Sequence, residues 1–244
     1  MAEGAFIVLS DPVAKKEAAY HEWYADFVER VQKISGVTSA QRFTLAATQV
    51  DVRPMNLNLT VFELSDVEGV RALFAEQFGV RTATEFLRLS DSVDQSTMMT
   101  TFYEVASERL AAPNASVLPV EQQNIIIQVL SVPLEIRPHF IETYIVERLN
   151  KLIHVPGLIS GQLYKMSQVQ VQNVIYPYVG LYRNSDGKEA LQTWPVPATN
   201  WKSLAAAREK DPALRPDGKL AGMQNRDFLF EPYVAPVPPE PKPA

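Results

Sequence analysis

The fold class predicted by the sequence is α+β, built from two tandem βαββαβ repeats, and three observations predict it. The first is self-similarity. Residues 8–43, "VLSDPVAKKEAAYHEWYADFVERVQKISGVTSAQRF", align without a gap on residues 129–164, "VLSVPLEIRPHFIETYIVERLNKLIHVPGLISGQLY", at a constant offset of 121. Val8, Leu9, Ser10, Pro12, Gly36, Ser39 and Gln41 recur as Val129, Leu130, Ser131, Pro133, Gly157, Ser160 and Gln162. Seven identities in 36 positions exceed the roughly two that average composition gives. The second observation is that hydrophobic periodicity changes in the same order along both copies. The third is a breaker-rich stretch, "AAPNASVLPV" at 111–120, standing between them. The division is therefore repeat 1 over 1–110, a linker over 111–120, repeat 2 over 121–235, and a proline-rich tail over 236–244.

Each copy opens on a short β-branched strand, "AFIVLS" or "NIIIQVLS". A long amphipathic helix follows, over about 14–34 or 135–154, and ends at Gly36 or Gly157. Two strands come next: "SAQRFTLA" with "LNLTVFEL", and "SGQLYKM" with "VIYPYVGLY". A second helix is predicted over 67–78, and over about 187–193 with another near 200–210. The strands "TMMTTFYEV" and "RDFLFEPYV" close the units. This order is the ferredoxin-like unit, whose sheet carries helices on one face only. The bare face needs a cover, and a second copy supplies one. The ending "YVAPVPPEPKPA" is too rich in proline for a helix.

The 244 residues are 46% hydrophobic and 21% charged, with a net charge of −5 and no cysteine. That balance lacks a basic stripe and argues against a nucleic-acid surface. Without cysteine there is no disulfide, thiolate nucleophile or zinc–sulfur site, and an intracellular compartment is the simpler expectation. The start "MAEGAFIVLSDP" has no basic n-region or long apolar run, and no segment approaches the ~18 apolar residues of a membrane span. A cytoplasmic protein is expected. Three scattered histidines have no ligand spacing, so no metal is expected, and no phosphate loop or nucleophile elbow appears.

At 100° per residue Tyr20, Tyr24, Phe27, Val28 and Val31 share one stripe of the first helix. The second helix offers Ile141, Tyr144, Ile145, Arg148, Leu149 and Leu152, so a guanidinium replaces Phe27 inside the packing face. Arg148 either snorkels to a carboxylate or solvent, or faces a pocket and forks a substrate carboxylate. Along "VIYPYVGLYR", Tyr176, Tyr178, Gly180 and Tyr182 alternate to one side, matched in the first copy by Asn56, Asn58, Thr60 and Phe62. Either the tyrosines pack together, or they line a gap above Gly180 that accepts a flat conjugated acid. His21 sits at the edge of its stripe and is the histidine suited to acid–base work. Gln41 and Gln162 recur at equivalent strand positions, to orient a ligand or to bridge the sheets. Trp194 falls in an insert found only in the second copy, before "NWKSLAAAREK", a helix capped by Asn200. The insert and Arg148 together imply that two once-equivalent pockets have diverged.

"YHEWYADFVERVQKISGVTSAQRF" resembles the first helix and second strand of the dimeric α/β-barrel superfamily, the EthD-like proteins in particular. His21, Trp23, Tyr24, Gly36, Ser39, Ala40, Arg42 and Phe43 fit that pattern, with Pro156-Gly157 in the second copy. With the strand order, the resemblance spans both repeats. It implies an intramolecular version of the dimeric α/β-barrel. One departure matters: a histidine common in the family about seven positions after His21 is Val28 here and Leu149 in the second copy, so no mechanism resting on it carries over. The resemblance implies a choice among cofactor-free monooxygenases, isomerases, dehydratases and haem enzymes, which the site residues must decide.

The residues favour a cofactor-independent isomerase of an anionic ring-opened dienoate from aromatic or lignin-derived catabolism. In that reading His21 or a phenol of Tyr24 or Tyr178 moves a proton between enol and keto forms. Arg148, Tyr144, Tyr182, Asn58, Gln41, Gln162 and Trp194 hold the substrate. The alternatives are a cofactor-free monooxygenase or a dehydratase on an aromatic or polycyclic phenol, and a non-catalytic binding protein. The expected partner is a small anionic molecule, with no nucleic acid, membrane or cofactor; a homodimer is an open alternative.

Overall fold

The computed structural model describes residues 2–49, 56–79, 90–168, 176–194, 213, 218–221 and 223–234. The helix expected near 200–210 with its cap Asn200, the first residues of "VIYPYVGLY" and the tail 236–244 lie outside them.

The first half runs β1 (Gly4–Ser10), α1 (Glu17–Gln32), β2 (Val37–Leu45), β3 (Asn58–Leu64), α2 (Val67–Phe78), β4 (Met99–Val105). A two-residue strand, β5 (Leu110–Ala111), follows and pairs with β7 below; it straddles the expected boundary between repeat 1 and the linker, and two residues show no alternation. The second half runs β6 (Asn124–Ser131), a helix α3 over 140–152, β7 (Leu158–Met166), β8 (Tyr178–Asn184), α4 (Gly187–Thr193) and β9 (Gln224–Pro232). The strand order is β4-β1-β3-β2-β9-β6-β8-β7-β5, and β4 also pairs with β7. Two seams thus join the halves: Phe43–Leu45 on Pro232–Phe230, and Tyr103–Val105 on Met166–Tyr164. Eight antiparallel strands close on themselves and leave no free edge between the halves.

The barrel interior is filled by side chains, as eight strands require. Ala5, Ile7 and Leu9 from β1 meet Ile125, Ile127 and Val129 from β6, with Tyr103, Tyr164 and Phe228 among the larger fillers. Outside the barrel, α1 and α2 cover the first sheet through Tyr24, Phe27, Phe62 and Phe74, and α3 covers the second through Tyr144, Leu149 and Tyr182. Gly36 and Gly157 end the first helix of each half at φ +96° and +78°, a left-handed conformation in which a Cβ is strained.

The ungapped offset of 121 needs a correction. Pairing registers place Phe6 against Phe62 and Ile126 against Tyr182, so β1 and β3 correspond to β6 and β8 at 120 residues, whereas Ala40 of β2 and Gly161 of β7, opposite Phe62 and Tyr182, correspond at 121. Val8 therefore matches Gln128, and the recurring "VLS" is one residue out of register; Val8 faces α1 while Val129 faces the barrel interior. The buried aromatics Tyr20 and Tyr24 likewise match Phe140 and Tyr144 at 120. Beyond them Val28 and Val31 match Leu149 and Leu152, and Gly36 matches Gly157, all at 121. The extra residue is absorbed between Tyr144 and Leu149, where Ile145–Leu149 forms a π-turn inside α3. Arg148 lies in that turn.

Candidate functional site

The layer between α3 and its sheet carries an unusual load of buried polar groups. Gln128 of β6 is a polar residue set between apolar neighbours in "IIIQVL" and is fully buried. Its strand partners are Gly180 and Asp227, both on the α3 side of the sheet. Asp227 is fully buried, and three donors fix it. Gln128 Nε2 donates to Oδ1 at 2.7 Å, while Asn225 Nδ2 (2.8 Å) and Trp194 Nε1 (3.0 Å) donate to Oδ2. A carboxylate has about four lone-pair sites, so these three leave one acceptor position. Tyr144 OH donates to Gln128 Oε1, and Tyr182 OH lies 2.5 Å from Tyr144 OH. Because the Tyr144 proton is committed, Tyr182 is the donor of that last bond. The sequence Tyr182 to Tyr144 to Gln128 to Asp227 is thus a one-way chain of donors, each polarising the next.

Arg148 completes the cluster at 2% exposure. Burial pushes the Asp227 carboxyl above its ordinary value, and the charge of Arg148 is the main influence opposing that shift, ahead of the three donors. Burial also pushes the phenols of Tyr144 and Tyr182 up, again opposed by Arg148, so both stay protonated at neutral pH. The site therefore holds a carboxylate of raised proton affinity, a guanidinium and two neutral phenols in a buried layer. Strongly shifted groups of this kind concentrate where proton transfer is done.

The gap expected above Gly180 is filled. A Cβ on Gly180 would lie 2.7 Å from the Tyr182 ring, and one on Gly161 would lie 2.9 Å from it. The two glycines form the seat of Tyr182. The expected row of tyrosines also breaks: Tyr176 precedes the strand and packs towards the barrel interior, whereas Tyr178 packs on Phe140 at 4.5 Å. The pleat starts only after Pro177, whose carbonyl accepts from Met166 N, so alternation does not reach Tyr176. Trp194 directly follows α4, the helix expected over 187–193, and its ring meets the Tyr182 edge at 5.1 Å.

The ten residues singled out by sequence fall into three places. Tyr144, Arg148, Tyr182 and Trp194 share the buried cluster, with Tyr178 at its rim on Phe140. His21, Tyr24 and Asn58 belong to the first half. His21 and Asn58 line an open cleft of about 680 Å³ together with Glu17, Thr44 and Leu57. Tyr24 lies beneath, its phenol pushed up to about 12 by burial. Gln41 and Gln162 sit at one end of the barrel interior. Arg183 Nη1 donates to Gln41 Oε1 (2.8 Å), and Arg109 Nε to Gln162 Oε1 (3.1 Å). Both arginines also reach Glu63 Oε1, at 2.9 Å from Arg109 and 3.2 Å from Arg183. Gln41 Nε2 donates to the Val120 carbonyl. These amides are engaged in joining the halves.

Asp227, Gln128 and Asn225 were missed. The available signal was polar letters placed in period two with buried apolar neighbours, as in "IIIQVL" and "NRDFLF".

No family model matches the chain, and no curated protein does. Solved structures do. An anthrone oxidase-like protein is similar with a TM-score of 0.59 and 13% identity, over 96% of this chain and 92% of that one. A candidate monooxygenase of Fusobacterium nucleatum subsp. nucleatum follows at 0.53 and 12%, over 95% and 92%. A chlorite dismutase variant of Candidatus Nitrospira defluvii gives 0.52 and 7%, over 96% and 92%. The chain has the dimeric α/β-barrel, ferredoxin-like fold. In this barrel both seams lie within one polypeptide, and no helix among the described residues is long and apolar enough to cross a membrane.

Proposed function

We propose that this chain is an oxygenase acting on a phenolic polycyclic substrate with an acidic C–H flanked by aromatic rings. It is a tandem duplication whose second repeat performs the chemistry. The observation that carries the proposal is Asp227: a buried carboxylate of raised proton affinity, fixed by three donors and opposed by one guanidinium. In the first step Asp227 takes the proton of the activated C–H. Arg148 and the phenols of Tyr144 and Tyr182 stabilise the negative charge that spreads to the substrate oxygen. The carbanion gives its electrons to dioxygen and a C–O bond forms; the peroxide anion takes the proton back from Asp227, and loss of water then breaks the O–O bond and the remaining C–H bond. The balance is CH2 plus O2 giving C=O plus H2O, with dioxygen as the oxidant. Similarity to an anthrone oxidase-like protein and a candidate monooxygenase supports this choice of reaction.

The isomerase reading has no counterpart among these similar structures. It also needed His21 or a phenol to shuttle protons. The raised phenols of Tyr24, Tyr144 and Tyr178 resist giving theirs up. His21 Nδ1 is occupied by Arg42. A second reading, a non-catalytic binding protein, is favoured by Tyr182 already filling its glycine seat.

Oxygen consumption on a 1,8-dihydroxyanthrone, corrected for autoxidation, separates them. The proposal expects one O2 per substrate and a quinone product. It expects Asp227→Asn to lower kcat by about 100-fold or more with the far-UV and near-UV spectra retained. Uptake no faster than background, or undiminished in Asp227→Asn, overturns it. The rate should rise with pH along an acid limb lying above the usual carboxylate range, because the base works only when ionised.

A further inference from the structure

The cleft of the first half holds chemistry that the buried cluster of the second half does not use. His21, half-buried on α1, and Asn58, 7% exposed on β3, share its wall with the apolar side chains of Pro12, Leu45 and Leu57. Arg42 Nη2 lies 3.3 Å from His21 Nδ1. A guanidinium only donates, so Nδ1 is the acceptor and the ring proton resides on Nε2. Arg42 is itself held from both sides, its guanidinium carbon 4.0 Å from the Tyr233 ring centre and 5.0 Å from that of Tyr24. The imidazole stacks on the same Tyr233 at 5.2 Å and meets Tyr20 edge-on at 5.1 Å. Three aromatic rings and one arginine thus fix the orientation and tautomer of a single histidine. Burial and Arg42 both depress its proton affinity, which keeps the ring a neutral N–H donor.

The charges around the cleft select the ligand. Glu17 lines the same wall one helical turn before His21 and repels an anion. Arg42 behind the ring repels a cation. A neutral, flat molecule bearing a carbonyl oxygen meets neither penalty. It finds a donor at Nε2 and apolar walls for its ring, in a volume of the size that small-molecule sites have. We infer that the first-half cleft is a second ligand site, taking a neutral aryl ketone or quinone whose oxygen accepts from His21 Nε2–H. The site stands whether or not Asp227 is a catalytic base, since no residue is shared.

The test is a titration of the full chain with 2-methyl-1,4-naphthoquinone, followed by the side-chain 1H–15N resonances of its three histidines. The expected result is saturable movement of the His21 Nε2 signal, with His139 and His154 unmoved. His21→Phe, which keeps the stacking and removes the donor, should weaken binding about tenfold. His21→Gln, which restores an N–H, should recover most of that loss. Arg42→Met should release the tautomer and move the Nδ1 and Nε2 shifts in the free protein. An unmoved His21 signal at saturating quinone overturns the inference, as does equal affinity in His21→Phe.

Discussion

Strand for strand, the helix-covered layers of the two halves occupy equivalent places and hold opposite chemistry. Val8, Thr60 and Thr100 of the first half stand where Gln128, Gly180 and Asp227 stand in the second. Phe62 corresponds to Tyr182, Tyr24 to Tyr144, and Phe27 to Arg148. In the first half the phenyl rings simply pack: Phe6 on Phe62 at 5.4 Å and Phe27 against Phe62 at 6.0 Å. In the second, each polar atom needs a partner out of water, and a buried carboxylate and guanidinium each carry a desolvation cost of several kcal/mol. The fold tolerates either filling. The polar one is therefore not needed to build the barrel, and that is the physical reason for placing the proposed reaction there.

Removing one charge of the cluster should have the largest effect. Arg148→Met should reduce turnover about as far as Asp227→Asn and destabilise the protein by about 3 kcal/mol, because the carboxylate stays buried without its main opposing charge. The double variant Arg148→Met/Asp227→Asn should recover much of that stability and none of the activity; chemical denaturation measures it. Phe27→Met in the first half should leave turnover unchanged. Deleting Val146, which is 60% exposed, is the next largest perturbation. It returns α3 to the register of α1, so the protein should fold without its π-turn. Displacement of the guanidinium by an ångström or so should then cost about 100-fold in kcat. Gly180→Ala pushes a Cβ into the Tyr182 ring and should cost about 1–3 kcal/mol. Thr60, its first-half counterpart, should accept alanine at far smaller cost.

The smallest effect concerns the barrel end. Burial pushes Glu63 up, but Arg109 and Arg183 more than offset this and hold its carboxyl below the usual range. Its contribution to stability is therefore present at neutral pH and is lost as pH falls through that lowered value. Asp227 has the opposite linkage: its contribution is full below the ordinary carboxylate value and is lost as pH rises through the raised one. Glu63→Gln should remove about 1 kcal/mol at neutral pH, less in high salt. Asp227→Asn should flatten the decline towards higher pH.

Element order and most boundaries were legible because they follow local rules. The glycines after the first helix of each half and the β-branched runs each mark an element without tertiary help. Register was less legible. Matching letters, "VLS" on "VLS", outweighed matching faces, since identity is counted along the chain whereas burial is decided across the sheet. The same offset of 121 points to Ile141 where the buried residue is Phe140. Arg148 drew notice because a charge in an apolar stripe violates helix periodicity. Asp227 did not, because a strand alternates every two residues and either phase looks acceptable until the covering helix is known. His21 and Asn58 were grouped with Arg148 as one site, yet their elements lie in different halves of the closed barrel.

The second half buries a carboxylate whose ionisation Arg148 favours. Titration of the Asp227 side-chain carboxyl by 13C NMR, in the unmodified chain and in Arg148→Met, tests it directly. An apparent pKa above the ordinary carboxylate range, rising further when Arg148 is replaced, is the predicted result. A midpoint in the ordinary range, or one indifferent to Arg148, would mean that the guanidinium does not govern the Asp227 charge.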